Sequence, residues 1–215
     1  MSPAKSGQSS TTRPVRPRDA ASLVLVRRSA DGHQVLLGRR ASAHRFMPNV
    51  YVFPGGRLDA ADALAPVHAD LRPAVAAKLT RRWPADKARA LAVAAVRETQ
   101  EETGLAIGRN RDGRFHADLD RLDYVARAIT PTNSPIRFHA RFFMTEVGDD
   151  HGKARDSSEL IDLRWTDLPA AFELPIADVT EFVLCEVQRR LGGWTPPGVP
   201  LFSYRNGAPR IVYER

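Results

Sequence analysis

The stretch Leu91-Ala-Val-Ala-Ala-Val-Arg-Glu-Thr-Gln-Glu-Glu-Thr-Gly-Leu105 decides how the rest of the chain is read. An alanine-rich run is a strong helix former, and Gly104 is the residue type that stops a helix in a left-handed cap. A helix turns about 100° per residue, so Glu98, Glu101 and Glu102, at i, i+3 and i+4, project from one face of its last turn. Three carboxylates there repel one another, and the negative end of the helix dipole adds roughly 0.3 to 1 kcal/mol of penalty per charge. A solvated acidic face is the plain alternative, but such faces interleave Lys or Arg at i+4, and here only Arg97 does so, towards Glu101. A hard, oxygen-liganded divalent cation of the Mg2+ or Mn2+ kind would supply the missing positive charge.

A second motif lies upstream, Phe53-Pro54-Gly55-Gly56-Arg57-Leu58-Asp59-Ala60-Ala61-Asp62. With Arg97-Glu98-Thr99-Gln100-Glu101-Glu102-Thr103-Gly104-Leu105 it resembles the two halves of the signature of the Nudix hydrolases, G-x5-E-x7-R-E-U-x-E-E-x-G-U, where U is aliphatic. Asp62 replaces the first glutamate, and Thr99 stands where an aliphatic residue is usual. An uninterrupted signature would place the arginine at position 70 and it stands at 97, so the box carries an insertion of 97 − 70 = 27 residues, spanning about 63–89. An insertion there, with Phe-Pro-Gly-Gly before it, looks like the split-box, CoA diphosphatase-like branch of the superfamily. Leu36-Leu37-Gly38-Arg39-Arg40 and Phe46-Met47-Pro48-Asn49-Val50-Tyr51-Val52 read like that branch's approach to the box. Ile129-Thr130-Pro131 and residues 137–143 resemble its later strands, with His139-Ala140 in place of the usual Asp-Thr. The likeness covers roughly residues 20–170.

The resemblance implies an α/β fold of the Nudix type, an α/β/α sandwich with a mixed sheet between the motif helix and a C-terminal helix. It also implies a pyrophosphohydrolase that uses Mg2+ or Mn2+. Glu98 and Glu102 are then the principal metal ligands, Glu101 a further one, and the Gly55 carbonyl a completing ligand. Arg97 orients the carboxylates. The general base is Glu98 or Glu159, with Asp156 behind Glu159, since such enzymes often draw a further carboxylate from a loop in this region. CoA or an acyl-CoA is the first candidate substrate, giving 3',5'-ADP, and ADP-ribose or NADH-type dinucleotides are the nearest rivals. A catalytically weak Nudix-fold module that binds a nucleotide or RNA as a regulator is the reading from another class. A homodimer stays open.

Composition bounds these expectations. The chain has 215 residues, 43% hydrophobic and 27% charged, enough for one soluble globular domain with a substantial core. No apolar run approaches the roughly 18 residues that span a bilayer. One cysteine, Cys185, excludes an internal disulfide framework, fits a reducing compartment, and falls in an apolar helical run as a buried packing residue. The net charge of +7 suits a polyanionic partner; a small phosphorylated molecule, rather than nucleic acid or membrane, is the expected one. Residues 1–19, rich in Ser, Thr, Pro and Arg, read as a disordered basic tail, lacking the apolar stripe of a transit peptide. Residues 20–215 read as the single domain, with the cytoplasm as default location.

Ser22 to Arg27 and Gln34 to Arg39 read as strands joined at Asp31-Gly32, and 50–53 as a third strand stopped by Pro54. Inside the insertion Leu71, Val75 and Leu79 predict a short amphipathic helix, broken at Trp83-Pro84. The motif helix then starts near Ala85-Asp86 with Ala88, Leu91, Ala92 and Ala95 inward. Arg72, Lys78, Arg81 and Arg82 are a solvated face or, on the sharper reading, include cations that hold a substrate phosphate distant from the metal. Arg57, Arg81 and Arg82 are accordingly the candidate substrate-binding residues. Residues 109–114 read as a loop, 124–129 and 137–145 as strands, and 147–158 as a polar segment. Asp178-Val-Thr-Glu181 has capping-box spacing ahead of a second long helix ended by Gly192-Gly193, and 210–213 reads as a last strand. The six histidines show no metal-ligand spacing.

Overall fold

The computed structural model describes residues 15–42, 47–148 and 151–214. In chain order the elements are β1 Arg18–Ser29, β2 Gly32–Arg40, β3 Tyr51–Val52, β4 Gly55–Arg57, a 3-10 turn at Ala60–Ala63, β5 Val67–Ala69, α1 Pro73–Thr80 and α2 Ala85–Thr103. There follow β6 Gly108–Arg111, β7 Arg114–Asp118, β8 Asp123–Ile129, β9 Phe138–Glu146, β10 Leu160–Asp167, α3 Asp178–Leu191, β11 Val199–Arg205 and β12 Ala208–Glu214.

The central sheet runs β10-β2-β1-β9-β8-β11-β12, with β3 beside β2 and β4 beside β1. It is mixed, since β1 runs parallel to β9 and β8 parallel to β11 while the other pairs are antiparallel. Side chains alternate across a strand, and β1 divides its own between two cores. Ala21, Leu23 and Leu25 join the core that contains α2, whereas Val24 and Val26 join the core that contains Val183, Leu184 and Val187 of α3. The sheet is thus buried on both faces, which is why β1 and β2 read as continuous apolar runs. The expected sandwich is the observed one. Ala88, Leu91, Ala92 and Ala95 are at most 1% exposed; small side chains let α2 approach the sheet closely and bring its last turn over β4.

The inserted segment supplies β5, α1 and the first turn of α2. Val75 and Leu79 of α1 are buried against α2, burial worth about 1.5 to 3 kcal/mol for a side chain the size of Leu79. Pro84 stands at the N-cap of α2 and Gly104 at its left-handed C-cap, φ 76°. No helix among the described residues is long and apolar enough to cross a membrane.

Several expectations are corrected. Residues 109–114 are not a loop: β6 and β7 form a hairpin, with Asp112 and Gly113 both at positive φ, as a two-residue type I' turn requires. It joins β5 in a second, three-stranded sheet; polar flanks without alternation hid these strands. β11 is an addition to the expected strands, although Asn206 and Gly207, again both at positive φ, are a strong hairpin signal between it and β12. Residues 50–53 shrink to a two-residue strand. Strand β1 begins at Arg18, inside the segment expected to be a tail; the first fourteen residues of that tail, like Phe46, lie outside the described residues. The capping box at Asp178 does not form, since Ala177 is the N-cap and the Asp178 carboxylate instead accepts the Val179 N–H at 2.9 Å and the Tyr204 hydroxyl. Cys185 is half-buried and free, not fully buried.

Candidate active site at the end of the motif helix

Two chain segments meet at the end of α2. Strand β4 pairs with β1 in the register Ser22↔Gly55 and Ala20↔Arg57, which carries the glycine pair under the helix. A Cβ at Gly55 would come within 3 Å of the Ser22 side chain and the Ala21 carbonyl, at a backbone φ of +153° that side chains disfavour. A Cβ at Gly56 would overlap the Glu98 carboxylate. Each glycine therefore has its own reason: one admits a strand, the other a carboxylate.

The Gly55 N–H donates to Glu102 Oε2 at 2.7 Å. The expected contribution of Gly55 was its carbonyl; what the structure displays is its amide, holding a ligand candidate in place. Glu102 is only 8% exposed, and burial pushes its carboxyl up to about 8. Glu98 and Glu159 add to that rise, while the Gly55 amide and Arg40 oppose it. Glu98 is raised as well, first by burial and then by Glu101 and Glu159, against the pull of Arg97. Glu159, immediately before β10, is exposed and is anchored through its carbonyl, which accepts the Ala41 N–H at 3.0 Å. Among the three acids of the helix Glu101 is the outermost, its side chain 58% exposed against 16% for Glu98.

Arg97 ties this end together. Its Nε and Nη2 grip Asp62 at 2.8 and 3.1 Å, Nη1 donates to Glu98 and Glu101 at 3.0 Å each, and Nη2 also reaches the Arg57 carbonyl at 3.1 Å. Asp62 is 1% exposed and takes the Asp59 N–H at 2.8 Å besides. The two-pronged bond to Asp62 is the main reason the guanidinium is held above its ordinary pKa. The aspartate that replaces the signature's first glutamate thus still reaches the arginine, because the 3-10 turn brings its backbone close. Its place within the motif is the one sequence signal for that role.

Two further residues lie beyond the reach of sequence reasoning. Arg40 is largely enclosed beside Glu102 and Glu159, and burial lowers its pKa against their charges. The Arg155 guanidinium packs against Gly104, and the Arg155 backbone N–H donates to the Thr103 carbonyl at 2.9 Å, a cation where the helix dipole welcomes one. Neither shows a sequence signal; both come from positions that only the fold brings near.

Other candidates are placed elsewhere. Asp156, second choice as a base, accepts the N–H groups of Asp162 and Leu163 at 2.9 Å each. Both its oxygens brace a bulge of β10 where Asp162 has φ 53°. The Arg57 side chain is exposed next to the site. Arg81 and Arg82 lie before the start of α2, and the helix runs about 20 Å along its axis from Ala85 to Glu98; Arg82 is paired with Glu214 at 2.8 Å. They do not join the carboxylates.

Among the described residues no three His, Cys, Asp or Glu side chains stand together closely enough to hold a metal ion. The donor set nevertheless suits a hard cation. Glu159 raises the pKa of both Glu98 and Glu102, and Glu98 raises that of Glu102, at a partly enclosed site; Gly56 leaves the Glu98 carboxylate room, and the two arginines offset only part of the charge.

No family model matches the chain. A curated Caenorhabditis elegans protein, "Putative nudix hydrolase 7", is 28% identical over 175 residues, covering 70% of this chain and 51% of its own length, so the chain spans about half the length of that relative. The NUDIX domain of Shewanella oneidensis NrtR, solved with ADP ribose, shares 14% identity at a TM-score of 0.54 over 82% of this chain and 90% of that one, a likeness of fold. The crystal structure of a NUDIX hydrolase from Alicyclobacillus acidocaldarius is 30% identical, with a TM-score of 0.61 over 79% of this chain and 90% of that chain. With the interrupted signature folded around one acidic helix end and a relative of that identity matched over nearly its whole length, the chain belongs to the Nudix hydrolases.

Proposed function

We propose that this chain is a metal-dependent pyrophosphohydrolase that cleaves the diphosphate of a nucleoside diphosphate linked to another moiety, with CoA or an acyl-CoA the first substrate to test. The observation that carries the reading is Glu102, a buried carboxyl among like charges whose pKa is pushed up to about 8. Held ionised, such a group costs free energy unless a cation compensates it.

Mg2+ or Mn2+, when bound, would neutralise the diphosphate and acidify the attacking water. Glu98 and Glu102 are the residues to hold it, with Glu101 at the rim and the Gly55 backbone alongside. Arg97, fixed by Asp62, keeps Glu98 and Glu101 from splaying. A water must lose a proton as its oxygen forms a bond to phosphorus and the bridging P–O bond breaks. Glu98, raised by burial, and Glu159, exposed at the mouth, are the two bases within the cluster, and pH–rate profiles of E98Q and E159Q separate them. The CoA preference rests on the interrupted box alone, with ADP ribose, the ligand of the NrtR structure, next in line.

One observation favours a second reading, a nucleotide-binding regulator with weak turnover: Arg40 beside Glu102 and Glu159 offsets part of the charge that a metal would. Turnover of CoA, an acyl-CoA, ADP-ribose and NADH with and without Mg2+, followed by mass spectrometry, decides between them. Metal-dependent appearance of 3',5'-ADP or AMP supports the hydrolase; saturable binding without product supports the regulator.

A further inference from the structure

The other end of α2 carries a second charged cluster that the carboxylate site does not use. On the α2 face of the sheet, Arg141 and His139 of β9 and Arg127 of β8 lie side by side under Trp83, which stands just before α2. The guanidinium of Arg141 stacks 4.1 Å from the Trp83 ring and that of Arg127 lies 5.8 Å away, and the His139 ring meets Trp83 edge-on at 5.4 Å. His139 takes an N–H from Arg127 at 2.8 Å, and burial beside two arginines drives its pKa down to about 3, so it stays neutral. Lys78, Arg81 and Arg82 complete the rim of a small cavity here, and Glu214 is the one acid that lines it among the described residues.

Glu214 occupies this cavity as an anion would. Arg127 Nε donates to its Oε2 at 2.6 Å and Arg127 Nη2 to its Oε1, and Arg82 Nη2 reaches Oε1 at 2.8 Å. Two oxygens cannot serve every donor that faces the cavity. Tyr124 lines it; its hydroxyl, within electrostatic reach of Arg127 and Glu214, is fully enclosed in a residue 4% exposed and meets no hydrogen-bond partner among the described residues. Lys78 and Arg81 have no ion-pair partner among the described residues. An enclosed polar group without a partner is uncommon and calls for an account. With Glu214 in place the cavity is about 20 Å³, room for a water and not for a larger group.

From this geometry we infer that the cluster of Arg82, Arg127, Tyr124, Lys78 and Arg81 is a binding site for a phosphate monoester, held shut by the Glu214 carboxylate, which the ligand displaces. A phosphate brings three terminal oxygens and up to two negative charges. It therefore satisfies the arginine forks that Glu214 now satisfies and has an oxygen left for the Tyr124 hydroxyl, while Lys78 and Arg81 meet the added charge. The site lies about 20 Å along α2 from Glu98, too far for its ligand to be the phosphoanhydride under attack. It binds a second phosphorylated group, whether or not the chain is a hydrolase.

The test is calorimetric titration of the metal-free full chain with inorganic phosphate at low ionic strength, together with Trp83 fluorescence in a Trp165→Phe, Trp194→Phe background. Glu214→Gln removes the competing charge and should tighten phosphate binding at least about tenfold; Arg82→Ala should weaken it by a similar factor. Tyr124→Phe should weaken binding about fivefold without lowering Tm, because the hydroxyl has no bond to lose in the empty protein. The proposal is overturned if Glu214→Gln folds and binds phosphate no better than the parent. It is equally overturned if Tyr124→Phe lowers Tm and leaves phosphate affinity unchanged, the mark of a structural hydroxyl.

Discussion

The two ends of α2 are dominated by opposite charges, and at each end the prevailing charge has the sign that the helix disfavours, although Asp86 stands in the first turn. Glu98, Glu101 and Glu102 crowd the negative end of the helix dipole, whereas Arg127, Arg141, Arg82 and Lys87 surround the start of the helix, its positive end. The protein answers each excess only in part. At the acidic end Arg97, Arg40 and Arg155 face Glu98, Glu101, Glu102 and Glu159, and Arg97 is shared with Asp62; at the basic end Asp86 of the first turn, Asp19, which pairs with Lys87 and Arg141, and Glu214 face the cations. A stable fold alone would place the acids at the start and the bases at the end, as Arg155 against Gly104 does. Both arrangements fit the proposal that the ends of α2 receive ions that are not part of the chain.

Each end can be perturbed separately. At the acidic end the greatest loss is expected from Glu102→Gln, which keeps the acceptor for the Gly55 amide but not the charge. It should lower kcat by at least about 100-fold, or some 2.7 kcal/mol, in a Mg2+-dependent turnover assay; near-normal kcat would remove Glu102 from the machinery. Gly56→Ala comes next. Its methyl group displaces the Glu98 carboxylate, so a drop on the order of tenfold in kcat is expected with little change in Tm, and a loss of folding with no separable rate effect would mean that the glycine serves only the backbone.

A smaller effect tests the electrostatics themselves. The folded-state pKa of Glu102, about 8, lies above the ordinary value of 4.5, so between those two values the folded protein binds more protons than the unfolded chain. Its contribution to stability is present below the unfolded pKa and is lost as pH rises through the folded one. The metal-free protein should therefore lose Tm from about pH 5 to about pH 8.5, and Glu102→Gln should flatten that slope. A Tm that rises over the same range, or a slope that the substitution leaves alone, contradicts the burial argument. The slightest change belongs to the basic end: Arg81→Ala should leave kcat and KM for ADP-ribose within about twofold, because the residue stands far from the carboxylates. A several-fold rise in KM would return Arg81 to the substrate's path.

Much of this layout is legible in the sequence because it is local. The Glu98, Glu101 and Glu102 face, the start of α2 after Pro84, its stop at Gly104 and the α1 stripe all follow from helical periodicity and from proline and glycine. The sandwich follows from two apolar stripes that each need the same sheet. The rest depends on long-range placement. Arg40 and Arg155 reach the site from distant parts of the chain, Asp156 braces a bulge of β10 that no local pattern announces, and the basic cluster assembles from β8, β9, β12 and the insertion. The hairpins at Asp112-Gly113 and Asn206-Gly207 are a different case, since their turn signals are present and are outweighed by polar flanks and by Pro200. His139 stands out in the sequence only as a departure from the resemblance; its contacts show it to be a neutral acceptor for Arg127 under Trp83.

Receiving a divalent cation is the purpose assigned here to the acidic end of α2. Calorimetric titration of Mn2+ into the purified, metal-free chain in the presence of a diphosphate substrate, with product followed in the same samples, tests it without intermediaries. Binding heat and cleavage should appear together in the parent chain, and both should vanish in Glu102→Gln. Neither heat nor cleavage from the parent would leave the family fold without the chemistry proposed for it.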